Sequence, residues 1–247
     1  MLLRSMPFPL AHPAAVLPLR RFCPRYLSFP ALIIGSLCPD VGYAGGRLNL
    51  EEFAHRPLVG TFGFCLPVGL VLMLGFYLVR LPLVQLLPAR QRQVFLPLCQ
   101  QPAAPPFQIA VSLLLGALTH QLLDAATHPQ YWLVRYSPAL LAPVLVVGPH
   151  RLLLCELLYA GCTFFGVAWL ALVYLRWWER NAAAGLPRGM QWFCALLLAS
   201  AFLWLALDAR GQQHHIRSIF VAIYSVLLVA GFLLATSWRS SQPHTAP

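Results

Sequence analysis

The 247-residue sequence has no lysine and little charge of either sign: all 17 basic residues are arginine, and seven residues are acidic. Charged residues make up 10% of the chain and hydrophobic residues 59%, whereas a typical soluble domain carries about 25% charged residues. This composition excludes an ordinary soluble domain and indicates an integral membrane protein. Its arginine excess then reports loop orientation and is not a nucleic-acid signature, so we expect membrane lipids and no nucleic acid as partners.

Other absences narrow the possible chemistry. The seven cysteines are scattered and never form Cys-x-x-Cys, which predicts buried apolar side chains and excludes a zinc knuckle or a disulfide framework. The chain contains no Gly-rich phosphate loop, no Gly-x-Ser-x-Gly and no His-Glu-x-x-His. Prolines interrupt the amino-terminal apolar stretch, which argues against a cleaved signal peptide.

The apolar runs predict an all-α fold, a polytopic helical membrane protein with about five transmembrane helices. The expected spans are residues 58–79, 107–128, 152–176, 190–207 and 217–237. Two earlier apolar segments, 8–19 and 27–38, are each too short for a comfortable span, so they predict a short helical hairpin. Prolines predict an irregular connection over 81–106. Residues 129–150 predict a loop with a surface-lying or re-entrant piece.

We interpret residues 1–238 as one integral membrane domain, with a motif-bearing half at 6–130 and carboxy-terminal spans at 152–237. The polar segment 239–247 predicts a disordered tail. In this topology the 16 arginines after Arg4 divide into ten on one face of the membrane and six on the other. The positive-inside rule places the ten in the cytoplasm, and the candidate site on the extracytoplasmic side.

The apolar run from Phe107 ends in His120, Asp124 and His128, each four residues after the last. A spacing of four returns side chains to nearly the same face of a helix, so His120 and Asp124 can converge on one metal ion. Pro129 predicts a break in the helix beside His128, which is a ligand, an acid/base or neither. An ionisable pair at the end of an apolar run is costly without a partner, which makes it a functional candidate.

Three further candidates lie in separate segments that the predicted topology brings to the same face: His12, Asp40 and His55. Folding the amino-terminal hairpin about its turn puts His12 and Asp40 at the same end. Imidazole and carboxylate ligands without thiolate suit a divalent metal, zinc first and manganese or iron as alternatives. One ion or a pair would produce hydroxide near neutral pH, with His128 or a phosphate clamp by Arg56 assisting.

Four motifs carry a family resemblance: Met-Pro-Phe-x-x-Ala-His-Pro (6–13), Gly-Ser-x-x-Pro-Asp (35–40), His-Arg-Pro (55–57) and Gly-Ala-Leu-x-His-x-x-x-Asp-x-x-x-His (116–128). In this order they resemble a bacterial family of polytopic membrane proteins of unknown function, akin to membrane-bound metal-dependent hydrolases. They are also distantly similar to zinc-dependent phospholipase C. The resemblance covers residues 6 to about 130.

The resemblance implies metal-ligand roles for His12, Asp40, His55, His120 and Asp124, and a bacterial inner (plasma) membrane location. The resulting hypothesis is a divalent-metal-dependent hydrolase that acts on a phosphoester of a lipid or another envelope substrate. The alternative is a non-enzymatic membrane protein, such as a scaffold, assembly factor or transporter-like protein, in which the same residues only pack helices. A metal-ion carrier would need more polar residues along the spans than Glu156 provides.

Overall fold

The computed structural model describes residues 11–43, 50–147, 150–182 and 199. Within them the chain forms eight α-helices: α1 His12–Val16, α2 Phe29–Val41, α3 Leu50–Ala54, α4 Leu66–Gln85, α5 Ala89–Cys99, α6 Pro106–Thr127, α7 Trp132–Tyr136 and α8 Leu154–Asn181. Between these lie 3-10 segments at Leu17–Phe22 and Pro138–Leu141 and a π-helical turn at Thr61–Cys65. Strands β1 Pro143–Val147 and β2 His150–Leu153 pair as an antiparallel hairpin.

Three helical segments of the described chain are long and apolar enough to cross a membrane: Thr61–Gln85, Pro106–Thr127 and Leu154–Asn181. They correspond to the first three expected spans and identify the molecule as a membrane protein of helical type. Apart from residue 199, the two remaining expected spans and the tail at 239–247 lie outside the described residues.

The helices divide into two compact units, one of Met1–Tyr77 with Ala103–Gly166 and the other of Leu78–Pro102 with Val167–Pro247. In the second unit, α5 and the end of α8 meet through aromatic rings. The Phe95 ring lies 5.4 Å from that of Trp177 and 6.4 Å from that of Trp178, which is buried. The first unit contains every candidate site residue that the sequence predicts.

The first unit is built on the close packing of α2 against α6. A Cβ atom on Gly35 would overlap the backbone of Leu113, and one on Gly116 would overlap the backbone of Leu32. Glycine at both positions therefore lets the two backbones approach, as small residues do between membrane helices. The short α1 packs on both helices, and its Val16 joins Leu32 in the apolar core.

Helix α6 has the boundaries that its sequence predicts. Pro106 occupies its first turn, where a missing N–H costs nothing. The helix ends at Thr127, and His128 adopts an extended conformation before Pro129, which disfavours a helical residue in front of it. His120 and Asp124 thus lie in the last two turns of a candidate span, as expected.

One sequence prediction about the connections is wrong. Residues 81–106 are not simply irregular, because α4 continues past Pro82 to Gln85 and α5 forms an 11-residue helix around Pro97. Residues 129–150 contain α7 and β1, and their surface-lying or re-entrant placement stays a prediction. The β-branched residues of Pro143–Val147 are a local strand signal.

Candidate metal centre

Helix α6 contributes two residues to a buried cluster at its carboxy-terminal end. His120 Nε2 lies 3.3 Å from Asp124 Oδ2, and both side chains are almost fully buried. These residues continue the row Ser112, Gly116, His120 and Asp124, which is buried throughout. This row faces α2. The close packing at Gly35 and Gly116 therefore also determines how closely α2 approaches His120 and Asp124.

The other members of the cluster come from three short elements. Asp40, near the end of α2, places Oδ1 3.6 Å from His120 Nε2. His12, at the start of α1, stacks on the His120 ring at 3.6 Å and places Nε2 3.8 Å from Asp124 Oδ1. His55, just after α3, places Nε2 3.3 Å from Asp124 Oδ2. The structure therefore brings all five predicted ligands together.

Three of these atoms form an equilateral triangle: His55 Nε2, His120 Nε2 and Asp124 Oδ2 are each 3.3 Å from the other two. Donor atoms about 2.0 Å from a tetrahedral zinc ion lie about 3.3 Å apart. The triangle thus has the size of one face of such a site. Asp40 Oδ1 lies 3.6 Å from His120 Nε2, beside this face, and Asp40 groups with His55 and His120 as residues that could hold a metal ion.

Backbone carbonyls hold the outer nitrogens of two of the histidines. His120 Nδ1 lies 2.7 Å from the carbonyl oxygen of Ser36, and His55 Nδ1 lies 2.6 Å from that of Glu51. A carbonyl oxygen only accepts, so each Nδ1 must donate its proton. In the neutral rings the lone pair is then on Nε2, directed into the cluster, which is the arrangement usual for metal-bound histidine.

The cluster has more hydrogen-bond acceptors than donors. Both oxygens of Asp40 and Asp124 and both ring nitrogens of His12 are buried and make no hydrogen bond within the described residues. An unsatisfied buried polar atom is costly, and two imidazole lone pairs facing carboxylates repel each other. A cation in the cluster would satisfy those of these atoms that face it, so the donor set fits a divalent metal.

The electrostatics of the two residues from the amino-terminal hairpin agree with this view. Burial raises the pKa of Asp40 to about 6, although His120 opposes the shift. Burial, followed by the neighbouring His120, lowers the pKa of His12 well below its ordinary value. A neutral imidazole is the form that binds metal.

Asp124 faces histidines on two sides. Its Oδ2 lies near His55 and His120, whereas its Oδ1 lies 3.8 Å from His12 Nε2 and 3.9 Å from His128 Nδ1. His128 is buried, and its Nδ1 also lies 2.9 Å from Thr127 Oγ1. The structure therefore places His128 at the edge of the cluster, beside the carboxylate oxygen that points away from the triangle.

Arg56 occupies a different environment from the other predicted site residues. Its side chain is 62% exposed and pairs with Glu52 at 3.0 Å, one turn earlier. Within the described residues, Arg56 makes no hydrogen bond or ion pair with the cluster. The predicted phosphate clamp is thus a surface residue next to His55, outside the buried set.

Sequence reasoning missed the tyrosines that surround the cluster. The ring of Tyr131 stacks on His55 at 5.5 Å, and that of Tyr43 meets His55 edge-on at 5.8 Å. Tyr159 of α8 contacts the His128 ring at 5.6 Å. The position of Tyr43, three residues after Asp40, was an available signal. Nothing in the sequence links Tyr131 to His55 or Tyr159 to His128.

A small cavity adjoins the cluster between α1, α6 and α8. Its lining combines apolar and hydroxyl groups with one face of His12: Ala11, His12, Leu123, Thr127, Tyr159, Cys162 and Thr163. Because α6 and α8 are both candidate spans, the cavity lies between two membrane helices. Glu156, one turn before Tyr159, does not line it and instead accepts a hydrogen bond from the backbone N–H of Leu153 at 2.9 Å, which caps α8.

Fold and site together define a helical membrane protein with a buried His/Asp cluster able to hold a metal ion. The chain belongs to the family described as DUF4184, a domain of unknown function, which matches residues 6–237. The match covers nearly all of the chain and is consistent with the resemblance to an uncharacterised family. No curated protein and no solved structure matches the chain.

Proposed function

We propose that this protein is a metal-dependent hydrolase of the membrane, with zinc as the first choice of ion. The observation that carries the proposal is the 3.3 Å triangle of His55 Nε2, His120 Nε2 and Asp124 Oδ2. In this proposal these three residues and Asp40 hold one ion. His12 and Asp124 Oδ1 either line the site of this ion or bind a second ion.

Zinc in such a site supplies a Lewis acid and lowers the pKa of a coordinated water to about 7. The surrounding residues determine which substrates reach it. His128 lies beside Asp124, where its imidazole can hold a proton during hydrolysis. Arg56, on the surface next to His55, is proposed to attract an anionic substrate and not to touch the ion.

A phosphoester of a lipid or of another envelope molecule is the proposed substrate. Two features support this choice: the cluster lies at the end of a candidate span, and the adjoining cavity between α6 and α8 has a partly apolar lining. The proposed location is a bacterial inner membrane, with the site on the extracytoplasmic face. The proposed topology has about five spans in a single domain.

Metal analysis of detergent-purified protein tests the proposal. Wild-type protein supplied with zinc is expected to retain one or two ions per chain, and Asp124→Asn and His120→Ala are expected to lose them. Glu179→Gln, which changes an exposed carboxylate of α8, is the matched control and should bind as the wild type does. A zinc-replete wild type without bound metal would leave only the structural interpretation of these residues.

Hydrolysis is tested separately on the same preparations. Bis(4-nitrophenyl) phosphate serves as a soluble phosphodiester, and vesicles of phosphatidylethanolamine and phosphatidylglycerol serve as lipid substrates. Activity that requires zinc and disappears in Asp124→Asn supports a hydrolase. Stoichiometric zinc without turnover of either substrate would instead support a metal-stabilised membrane protein with another role.

A further inference from the structure

We propose that Gln121 is a positioning residue that delivers His55 to the metal centre. The proposal rests on the metal site proposed above and adds a residue to it. Gln121 follows His120 on α6 and is turned about 100° away from it around the helix axis. Its side chain is buried, although an amide in a candidate span is costly unless it is hydrogen-bonded.

Both polar atoms of the Gln121 amide are used, and both partners flank His55 in sequence. Nε2 donates to the carbonyl oxygen of Ala54 at 2.7 Å, and Oε1 accepts from the hydroxyl of Thr61 at 2.8 Å. The orientation of the amide is determined by chemistry, because a carbonyl oxygen only accepts and must face the NH2 group. Ala54 and Thr61 are themselves fully buried.

The segment that Gln121 holds is a short helix followed by turns with local hydrogen bonds, among them the Gly60 N–H to the Arg56 carbonyl oxygen at 2.9 Å. Helix α3 has only five residues, too few for a stable helix in isolation. Leu58, in the turn that follows, has a φ of 61°, a left-handed conformation that is strained for a leucine. The two hydrogen bonds of Gln121 therefore tie both ends of residues 54–61 to α6, with His55 at the start of this loop.

Helix α6 thus contributes to the centre in two ways. His120 and Asp124 enter it directly, while Gln121 binds the backbone carbonyl oxygen of Ala54 before His55 and the side-chain hydroxyl of Thr61 after it. The His55 ring also depends on that backbone, since its Nδ1 donates to the carbonyl oxygen of Glu51 one turn earlier. A shift of the loop would open the 3.3 Å triangle at its His55 corner and leave the His120–Asp124 edge intact.

The test is a double-mutant cycle on zinc affinity, measured by competition with a chelating dye in detergent. Gln121→Leu removes both hydrogen bonds while keeping an apolar side chain of similar size. It is expected to weaken zinc binding about 10- to 100-fold, the usual effect of losing a partner behind a metal ligand. In a His55→Ala background the same substitution should lower zinc affinity less than about twofold, because the ligand that Gln121 positions is already absent.

Thr61 provides a milder pair of variants. Thr61→Val removes one of the two hydrogen bonds and should weaken zinc binding by a smaller factor, whereas Thr61→Ser keeps the hydroxyl and should bind as the wild type does. If Gln121→Leu does not fold, Thr61→Val is carried through the same cycle. Cobalt(II) absorption supplies a spectroscopic signature: Gln121→Leu should shift the spectrum towards that of His55→Ala.

Two outcomes would overturn the proposal: unchanged zinc affinity in Gln121→Leu, or an equal loss of affinity with and without His55. Backbone hydrogen exchange of residues 50–61 separates this proposal from the metal site itself. If the wild type binds no zinc, the metal site fails, but faster exchange in Gln121→Leu than in Thr61→Ser would still support the positioning of the loop. Unchanged exchange in that case would refute it.

Discussion

Each imidazole of the cluster has two ring nitrogens, and the partner of one determines the chemistry of the other. In His55 and His120 a backbone carbonyl takes the Nδ1 proton, which leaves Nε2 as an acceptor. In His12 neither nitrogen is hydrogen-bonded within the described residues, although the ring is fully buried. The three histidines therefore differ: two are oriented by the backbone, and one is held mainly by stacking on His120.

Asp124→Asn changes one atom type and is expected to abolish zinc-dependent stabilisation. Wild-type protein at a free zinc concentration about 100 times the Kd should gain about 2.7 kcal/mol of stability. The variant should gain nothing, because a neutral amide is a poor ligand for zinc beside two imidazoles. Thermal unfolding in detergent, with and without zinc, measures the difference. An equal rise in Tm for the two proteins would contradict a role for this carboxylate.

His128→Gln separates metal binding from turnover. We expect zinc content to remain close to that of the wild type, since Nδ1 of His128 is 3.9 Å from Asp124 Oδ1 and outside the triangle. Hydrolysis should fall about 100-fold or more, within the range of a lost general acid or base. Elemental analysis and the phosphodiester assay on one preparation decide the matter. Loss of zinc together with activity would make His128 a ligand instead.

At the scale of elements, the site depends on how closely α2 approaches α6. His120 reaches the carbonyl oxygen of Ser36 across this interface, so a wider separation would break the hydrogen bond that orients its ring. The Ser28 backbone N–H also donates to Ser112 Oγ at 2.8 Å. This hydrogen bond ties the amino-terminal end of α2 to α6. The interface thus holds both helices in register along the row that ends in the cluster.

Gly116→Ala tests this dependence. An added Cβ would overlap the Leu32 carbonyl oxygen, and overpacking of this kind costs about 1–3 kcal/mol. We expect a lower Tm and weaker zinc binding together. Gly75→Ala in α4 is the control, because a Cβ there meets no described atom within 4 Å, and alanine favours a helix by about 1 kcal/mol. A Gly116→Ala protein as stable as Gly75→Ala would contradict the close packing.

At the scale of the whole molecule, acidic residues are scarce, and two of them lie in the cluster. Two of the seven acidic residues, Asp40 and Asp124, lie in one buried site. Placing two carboxylates together away from water is costly unless a cation accompanies them. A bound cation would offset this cost, which agrees with the metal site proposed above.

Zinc affinity should fall as the pH falls. Protons compete with the ion for imidazole nitrogens and carboxylate oxygens, so acidification from about pH 7.5 to 5.5 should weaken binding about tenfold per pH unit for each proton displaced. The sign follows from binding itself, which releases protons from the protein. Titration with zinc at several pH values provides the measurement. An affinity independent of pH over that range would argue against histidine ligands.

The orientation in the membrane can be tested with a pair of exposed positions. Gln101, before α6, and Tyr136, after it, are both exposed and are separated by one candidate span. We expect an impermeant maleimide added to intact cells to label Tyr136→Cys and not Gln101→Cys, with the unsubstituted protein as control for its own cysteines. The opposite pattern would place the site in the cytoplasm and refute the assignment from arginine counts.

Hydropathy and helical spacing are local properties, so the sequence by itself determined the membrane class, the positions of three candidate spans and the helix end at His128. It also indicated the five residues of the cluster, because each of them lies in a short motif that can be recognised along the chain. The role of Gln121 had no such signal, since a glutamine in an apolar run does not show which backbone atoms it reaches. The hairpin at Pro143–Val147 was missed although its β-branched residues are a local signal.

Only the tertiary structure decided which side chains meet. His120 and Ser36 are 84 residues apart, and their contact exists because Gly35 and Gly116 let two helices approach. His55 joins the triangle from the segment after α3, whereas Arg56, its neighbour in sequence, lies on the surface. Convergence on one point depends on the distances between elements, and those are determined by packing across the molecule, not by the spacing of residues along the chain.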